Sequence, residues 1–176
     1  MTRLKSSDAK AFAAAIAFAG TGLATAARAE VIETGPDHFR LGLEATSPLP
    51  PDRLRRRLID PSDWWSGDHT YSGDASNLAL DLQPGGLWSE TWAGGAVAHG
   101  RVLMFRTGEM LRLEAPFGPL QGLGVAAVWT ISISPDGDGS KVRFDYVANG
   151  GDDLEPLAAA VDSVKSAALK NLTRPD

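Results

Sequence analysis

The sequence predicts an α+β domain in which a curved antiparallel sheet of seven strands surrounds a long C-terminal helix. Seven short segments have strand character, and Gly- and Pro-rich turns separate most of them. Short separations of this kind favour antiparallel hairpins over parallel crossovers. Residues 152–174 carry apolar side chains at helical spacing, and no other predicted element is long enough to cover one face of the sheet.

The strand predictions begin at residues 38–46, where Phe39, Leu41 and Leu43 alternate with polar residues or Gly. This period of two is typical of a half-buried strand. Six further strands are predicted in close succession after residue 76. They span residues 77–82, 87–92, 97–105, 109–115, 124–134 and 141–148.

One or two short helices are predicted after the first strand. Residues 52–60 have two leucines four positions apart, and Pro61 should end this helix. Residues 61–67 predict one further helical turn, which carries two tryptophans. The one basic patch of the chain consists of the arginines of the first helix: Arg53, Arg55, Arg56 and Arg57. They are expected to face solvent, and the alternative is that they contact anionic lipid headgroups.

The C-terminal helix is the strongest helix prediction. Asp152 or Asp153 can cap its start, and Pro156 suits its first turn. Its basic residues lie toward the negative end of the helix dipole: Lys165, Lys170 and Arg174. Its apolar stripe consists of Leu154, Leu157, Val161, Val164, Ala168 and Leu172.

The first 29 residues are predicted to be a secretory signal peptide. A basic segment (1–10) precedes an apolar run (11–19), and Ala27-Arg28-Ala29 matches a small-residue cleavage site. The alternative is an Ala-rich amphipathic or anchoring helix, but seventeen residues between Lys10 and Arg28 are few for a membrane span. We therefore expect an exported protein, periplasmic or secreted, with one domain at residues 30–176 and no stable membrane anchor.

Composition narrows the function further. The 176-residue chain has a formal net charge of −5, and cleavage after Ala29 would remove four basic residues and one acidic residue, leaving −8. An acidic protein without a basic run is not expected to bind nucleic acid. The absence of Cys excludes disulfides, thiol nucleophiles and thiolate metal sites.

Motifs for metals, cofactors and nucleophiles are missing from the sequence. The three histidines, His38, His69 and His99, lack the spacing of a zinc site. There is no G-x-S-x-G elbow, no Walker loop and no dinucleotide fingerprint. No metal or cofactor is therefore expected, and an enzyme is the less favoured class.

Glu90 is the main titratable candidate. On one strand, Trp88, Glu90 and Trp92 share a face, and desolvation between two indoles could raise the pKa of Glu90. Glu90 could equally lie on the open face of the sheet or form an ion pair with Arg101 on the next strand, and the ion pair is the favoured interpretation. His99 lies on that strand too, and the alternation places it on one face with Val97, Arg101 and Leu103.

The candidates for a ligand pocket combine these polar residues with aromatic ones. Strand tryptophans are usually core residues, but as pocket walls they would suit a flat apolar ligand. The full candidate set is Trp88, Glu90, Trp92, His99, Arg101, Trp129 and Tyr146.

Several short motifs resemble those of the START/polyketide-cyclase superfamily of helix-grip proteins. They are LIDPSDWW at 58–65, GGLWSE at 85–90, GRVL at 100–103 and AVWTI at 127–131. The branch that the sequence resembles most is the one named for activators of the 90-kDa heat-shock protein ATPase. The resemblance covers residues 38–173 and implies a small domain with an interior pocket for apolar or amphipathic molecules. Its chaperone role is not expected in a protein that leaves the cytosol.

Three functional hypotheses follow. The leading one is an exported protein that binds a small hydrophobic molecule or lipid between sheet and helix. The second is a cyclase-, dehydratase- or hydrolase-like enzyme, which requires Glu90, His99 and Arg101 to converge on one cavity. The third is an interaction or chaperone-cofactor-like domain of the cell envelope, which expects a packed interior without a ligand. The sequence does not specify an oligomeric state.

Overall fold

The computed structural model describes residues 28–176, in which one antiparallel sheet packs against a long C-terminal helix. Its eight strands lie in the spatial order β1-β2-β8-β7-β6-β5-β4-β3. They are β1 (Arg28–Gly35), β2 (His38–Ser47), β3 (Leu78–Leu80), β4 (Leu87–Trp92), β5 (Gly95–Arg106), β6 (Met110–Glu114), β7 (Ala126–Asp136) and β8 (Gly139–Asn149). The predicted α+β class, the antiparallel sheet and the C-terminal helix are confirmed. The predicted signal peptide falls almost entirely on residues 1–27, outside the described residues.

The prediction of seven strands is wrong by one, because β1 was not recognised. This edge strand pairs only with β2, and its register shifts between Val31 and Glu33. Val31 and Ile32 are both exposed, so the strand has no alternation of buried and exposed residues that a sequence pattern could indicate.

Three helices complete the fold: α1 (Pro51–Leu58), α2 (Pro119–Gly122) and α3 (Glu155–Thr173). A 3-10 turn at Pro61–Asp63 follows α1, as predicted. The helix α3 begins later than expected, because Gly150, Gly151 and Asp153 all have positive φ angles and form a turn. Neither Asp152 nor Asp153 caps it, and its N-cap residue is Leu154. No helix within residues 28–176 is both long and apolar enough to cross a membrane.

Arg57 corrects the prediction that all four arginines of α1 face solvent, because its side chain is only 8% exposed. Its guanidinium donates hydrogen bonds to the carbonyl oxygens of Leu172 (3.2 Å) and Arg174 (2.6 Å). It also pairs with Asp63 at 3.1 Å and with Asp176 at 2.6 Å. Arg57 therefore satisfies carbonyls at the C-terminal end of α3 and fastens that helix to α1.

The hydrophobic core lies between the inner face of the sheet and the elements that cover it. Alternate residues of β2, including Phe39, Leu41 and Leu43, are buried as predicted. The helix α3 packs mainly on β2, β1 and β8. The segment between α1 and β3 contributes Trp64 and Trp65 to the same core. A space remains where α3 and this segment meet.

Candidate ligand cavity

A cavity of about 500 Å³, with one side open, lies between α3, Tyr146 of the sheet and the two segments 65–71 and 117–120. Fourteen residues line it: Trp65, His69, Thr70, Tyr71, Phe117, Gly118, Pro119, Leu120, Tyr146, Leu157, Ala160, Val161, Val164 and Lys165. Most of these are apolar or aromatic, as is usual for small-molecule sites. A second hollow, of about 650 Å³, lies by the β3–β4 turn around Asp81 and Gly85, where it is open to solvent and encloses little.

A cluster of aromatic rings forms the wall and floor of the cavity. The ring of Trp65 contacts those of Trp88, Phe117 and Trp129 edge-on or tilted, with centroids 5.4, 5.5 and 6.1 Å away. Trp88 and Trp129 stack at 5.9 Å behind them. Such rings contribute a large apolar area and pack in the edge-on and offset arrangements that aromatic pairs prefer.

Lys165 places an amine within this aromatic cluster. The side chain projects from α3, and the residue is 2% exposed. Its Nζ lies 3.3 Å from the ring centroid of Trp129 and 4.5 Å from that of Phe117. The rings of Tyr146 and Trp65 follow at 4.8 and 5.3 Å. Within the described part of the chain, Nζ has no hydrogen-bond partner.

The electrostatics of Lys165 follow from this burial. Desolvation lowers the pKa of the amine well below its usual value, because the ammonium ion loses its water. The aromatic faces offset part of that penalty through cation–π attraction. On the same helix, burial raises the pKa of Asp162, whose Oδ1 also has no hydrogen-bond partner among residues 28–176.

Glu90 holds the loop that forms one side of the cavity mouth. Its carboxylate accepts hydrogen bonds from the backbone N–H groups of Tyr71 (3.0 Å) and Ser72 (2.5 Å). Its Oε2 also lies 2.8 Å from Nε2 of His99. Tyr71 lines the cavity and stacks on Trp92, with ring centroids 6.5 Å apart. The Glu90–His99 pair therefore positions the loop around Tyr71.

The pKa of Glu90 is lowered, not raised as the sequence had suggested. Burial alone would raise it, but hydrogen bonds from Ser72, Tyr71 and His99 outweigh desolvation and lower the pKa to about 2. Glu90 is thus a buried carboxylate that carries its charge at neutral pH. It is not poised to act as a general acid.

A bulge in β5 explains why His99, and not Arg101, is the partner of Glu90. Trp88 pairs with Gly100 while Ser89 pairs with Ala98, so His99 is an extra residue in the strand. The bulge reverses the alternation beyond it: His99 is buried, whereas Arg101 is exposed and pairs with Glu114. His99 and Arg101 therefore do not share a face.

The structure brings together only part of the predicted pocket set. Tyr146 lines the cavity, and its hydroxyl donates to the carbonyl oxygen of Ala115 at 2.8 Å. Trp88 and Trp129 lie in the aromatic cluster behind the lining, and Trp92 supports Tyr71 at the rim. Glu90 and His99 act through the loop, and Arg101 lies outside.

Lys165 is the principal site residue that the sequence analysis missed, because it was assigned to the helix dipole. The signal for it was present. Lys165 lies four residues after Val161 and three before Ala168, which places it on the apolar stripe of α3. Trp65 and Phe117 were missed for another reason: they lie in irregular segments without periodicity.

Metal ligands do not cluster in the part of the chain described. Within residues 28–176, no group of three His, Asp or Glu side chains is arranged to hold a metal ion. The amine, the rings and the apolar side chains of the cavity suit an organic molecule instead.

An antiparallel sheet that surrounds a long C-terminal helix, with a cavity between them, defines the helix-grip class of proteins. Comparison with solved structures agrees. CalU16 from Micromonospora echinospora is 17% identical, with a TM-score of 0.59, and the match covers 85% of this chain and 83% of CalU16. A protein from Chromobacterium violaceum is 23% identical, with a TM-score of 0.53 and coverage of 78% and 98%. The Aha1 dimer from Colwellia psychrerythraea is 12% identical, with a TM-score of 0.56 and coverage of 76% and 92%.

These likenesses lie below 25% identity and show the fold alone. The predicted helix-grip fold is confirmed at that level. No protein-family profile matches the sequence, and no curated protein does.

Proposed function

We propose that this protein binds a small hydrophobic or amphipathic molecule in the cavity between α3 and the sheet. The observation that carries the proposal is the cavity itself. Its volume of about 500 Å³ falls within the range usual for small-molecule sites, about 300–1,000 Å³. Apolar side chains on α3 and aromatic rings opposite them offer a ligand the burial that drives apolar association.

The binding hypothesis is favoured over an enzyme that uses Glu90, His99 and Arg101. Such an enzyme needs the three side chains around one cavity, but Arg101 pairs with Glu114 on the outer side. The carboxylate of Glu90 already accepts hydrogen bonds from the backbone N–H groups of Tyr71 and Ser72. A domain that acts only by protein–protein interaction should have an interior filled by its own side chains, whereas this structure has an open cavity.

We further propose that the protein acts outside the cytosol. The support is the N-terminal pattern of basic segment, apolar run and Ala27-Arg28-Ala29. Cell fractionation followed by intact-mass measurement tests this directly. The expected mature protein begins at Glu30 and is found in the periplasm or the medium. A full-length protein retained in the cytosol would contradict export but would leave the binding proposal unaffected.

Ligand binding is tested first with protein purified from its own host. Native mass spectrometry should show a bound apolar molecule that denaturing conditions release. The neutral fluorophore N-phenyl-1-naphthylamine then provides a direct titration, because its emission rises when it enters an apolar site. A protein that carries no ligand and does not bind the fluorophore would refute the proposal.

A cavity-filling variant locates the binding site. Val161→Trp adds an indole to the middle of the cavity and should weaken fluorophore binding by about tenfold or more, because the bulk displaces the ligand. The matched control is Val128→Trp, at an exposed position of β7 that does not line the cavity. Equal effects of both variants would place the site elsewhere.

A further inference from the structure

Among the described residues that line the cavity, Lys165 is the one buried lysine, arginine or acidic side chain. Its amine has no hydrogen-bond acceptor among residues 28–176. An amine or ammonium group brings two or three N–H donors, and Nζ uses none of them within residues 28–176. A buried donor without an acceptor costs free energy, and native proteins usually satisfy such groups with protein, water or ligand. The aromatic rings around Nζ offer only their faces.

Four aromatic rings from the sheet and from two connecting segments surround the amine of Lys165. Trp129 and Tyr146 face it from the sheet, Phe117 from the segment before α2, and Trp65 from the segment after α1. Of these only Tyr146 titrates, and its hydroxyl is occupied by the carbonyl of Ala115.

Two other titratable groups lie nearby. Asp162 is on α3 about one turn earlier and is absent from the cavity lining, whereas His69 is exposed at the cavity mouth. The site therefore holds a buried amine among aromatic rings, and no described residue supplies an anion that pairs with it.

We propose that the cavity selects carboxylic acids with an apolar tail, and that Lys165 binds the carboxylate. The inference rests on the proposed function and specifies its ligand. A carboxylate accepts two or more hydrogen bonds and supplies the charge that a buried ammonium ion requires. An ion pair with the ligand thus gives Lys165 both a hydrogen-bond acceptor and a counter-charge.

The shape of α3 gives the orientation of the ligand. Leu157, Val161 and Lys165 follow one another at intervals of four residues, so they lie along one face of the helix. Eight residues separate the first from the last, about 12 Å along the helix axis at 1.5 Å per residue. The carboxylate binds at the Lys165 end, and an alkyl or aryl tail extends past Val161 toward Leu157.

Proton balance accompanies binding. Near neutral pH the ligand is already a carboxylate anion, so a neutral amine takes the balancing proton from the solvent: an O–H bond of a hydronium ion breaks, an N–H bond forms at Nζ, and the ion pair remains in the cavity. No net charge enters the protein, so the desolvation penalty of an isolated ion is avoided. The faces of Trp129 and Phe117 then stabilise the ammonium ion.

The first experiment compares decanoate with decan-1-ol as competitors of N-phenyl-1-naphthylamine near neutral pH. Wild type should bind decanoate at least about tenfold more tightly than decan-1-ol, because a hydrogen bond to a charged group contributes more than a neutral one. Lys165→Met should abolish that preference and retain decan-1-ol binding. Lys170→Met, an exposed lysine on the same helix, should behave as wild type.

The outcomes separate the two proposals. Equal affinity for acid and alcohol in wild type, or a preference that survives Lys165→Met, would overturn the carboxylate site while leaving ligand binding intact. Failure of both competitors and of the fluorophore to bind would overturn the proposed function as well.

A second measurement does not depend on the folding of the variant. With lysine labelled with carbon-13 and nitrogen-15, the Cε and Nζ resonances of Lys165 report whether the amine is charged. Addition of decanoate to wild type should shift these resonances to the ammonium values, while decan-1-ol leaves them unchanged. A Lys165 that is already charged and does not respond to decanoate would contradict the proposal.

Discussion

Replacement of Lys165 by Met should stabilise the protein, against the usual effect of a core substitution. Met has a similar length and no donors, so it removes a buried amine that makes no hydrogen bond among residues 28–176. An unsatisfied buried polar group costs about 1–3 kcal/mol, and N–H···π contacts between the neutral amine and the aromatic rings return about 1 kcal/mol of this. We expect a net gain of about 1–2 kcal/mol in the free energy of unfolding.

The gain should depend on pH in a defined direction. In the unfolded chain the lysine titrates at its ordinary pKa of 10.5, and burial lowers the pKa in the folded protein. Between the two pKa values the unfolded chain holds one more proton, so the stability of wild type rises with pH across this window. The Met variant lacks that rise. Its advantage should therefore shrink as the pH approaches 10.5.

Urea unfolding followed by tryptophan fluorescence measures this effect. With a slope of about 2 kcal/mol per molar urea, the midpoint should rise by about 0.5–1 M near neutral pH. Lys170→Met is the matched control and should leave the midpoint nearly unchanged. A Met variant less stable than wild type, or a difference that does not vary with pH, would refute the reasoning.

Three further predictions concern the supports of the cavity. Glu90→Gln should lower the unfolding free energy by about 2 kcal/mol, because buried N–H donors lose a charged acceptor. As the pH falls from 4.5, the ordinary pKa of a glutamate, to about 2, the pKa of folded Glu90, wild type should lose this contribution. The Gln variant should show no such loss in an acid titration. Arg57→Met should cost about 3 kcal/mol in urea unfolding, whereas Arg56→Met, at an exposed position, should stay within about 0.5 kcal/mol. Tyr146→Phe should cost about 1 kcal/mol in thermal or urea unfolding, since the Ala115 carbonyl loses one of its two donors and keeps only the N–H of Phe117. An unchanged midpoint would contradict this contribution of the hydroxyl.

The fold was largely predictable because its strands alternate and its hairpins have strong turn residues. β2 illustrates this, with buried residues at every second position. β1 was not predictable, because an edge strand with a bulge and two adjacent exposed apolar residues has no period. The start of α3 was misplaced because Asp153 takes a positive φ angle, which a propensity argument does not anticipate.

The site was harder to predict, because it depends on a bulge and on contacts between distant segments. The extra residue in β5 turns His99 inward and Arg101 outward, and nothing in the alternation indicates it. Lys165 was visible only as a polar residue at an apolar helical position. Its aromatic partners come from positions 65, 117, 129 and 146, which only the tertiary structure brings together.

The proposed function depends most on an organic ligand inside the cavity, and a crystal structure of the protein with decanoate tests this most directly. We expect an elongated molecule in the cavity beside α3, with its carboxylate within hydrogen-bond distance of Lys165 Nζ and its tail against Val161 and Leu157. A cavity closed by the surrounding side chains, with decanoate absent at saturating concentration or bound elsewhere on the surface, would contradict it.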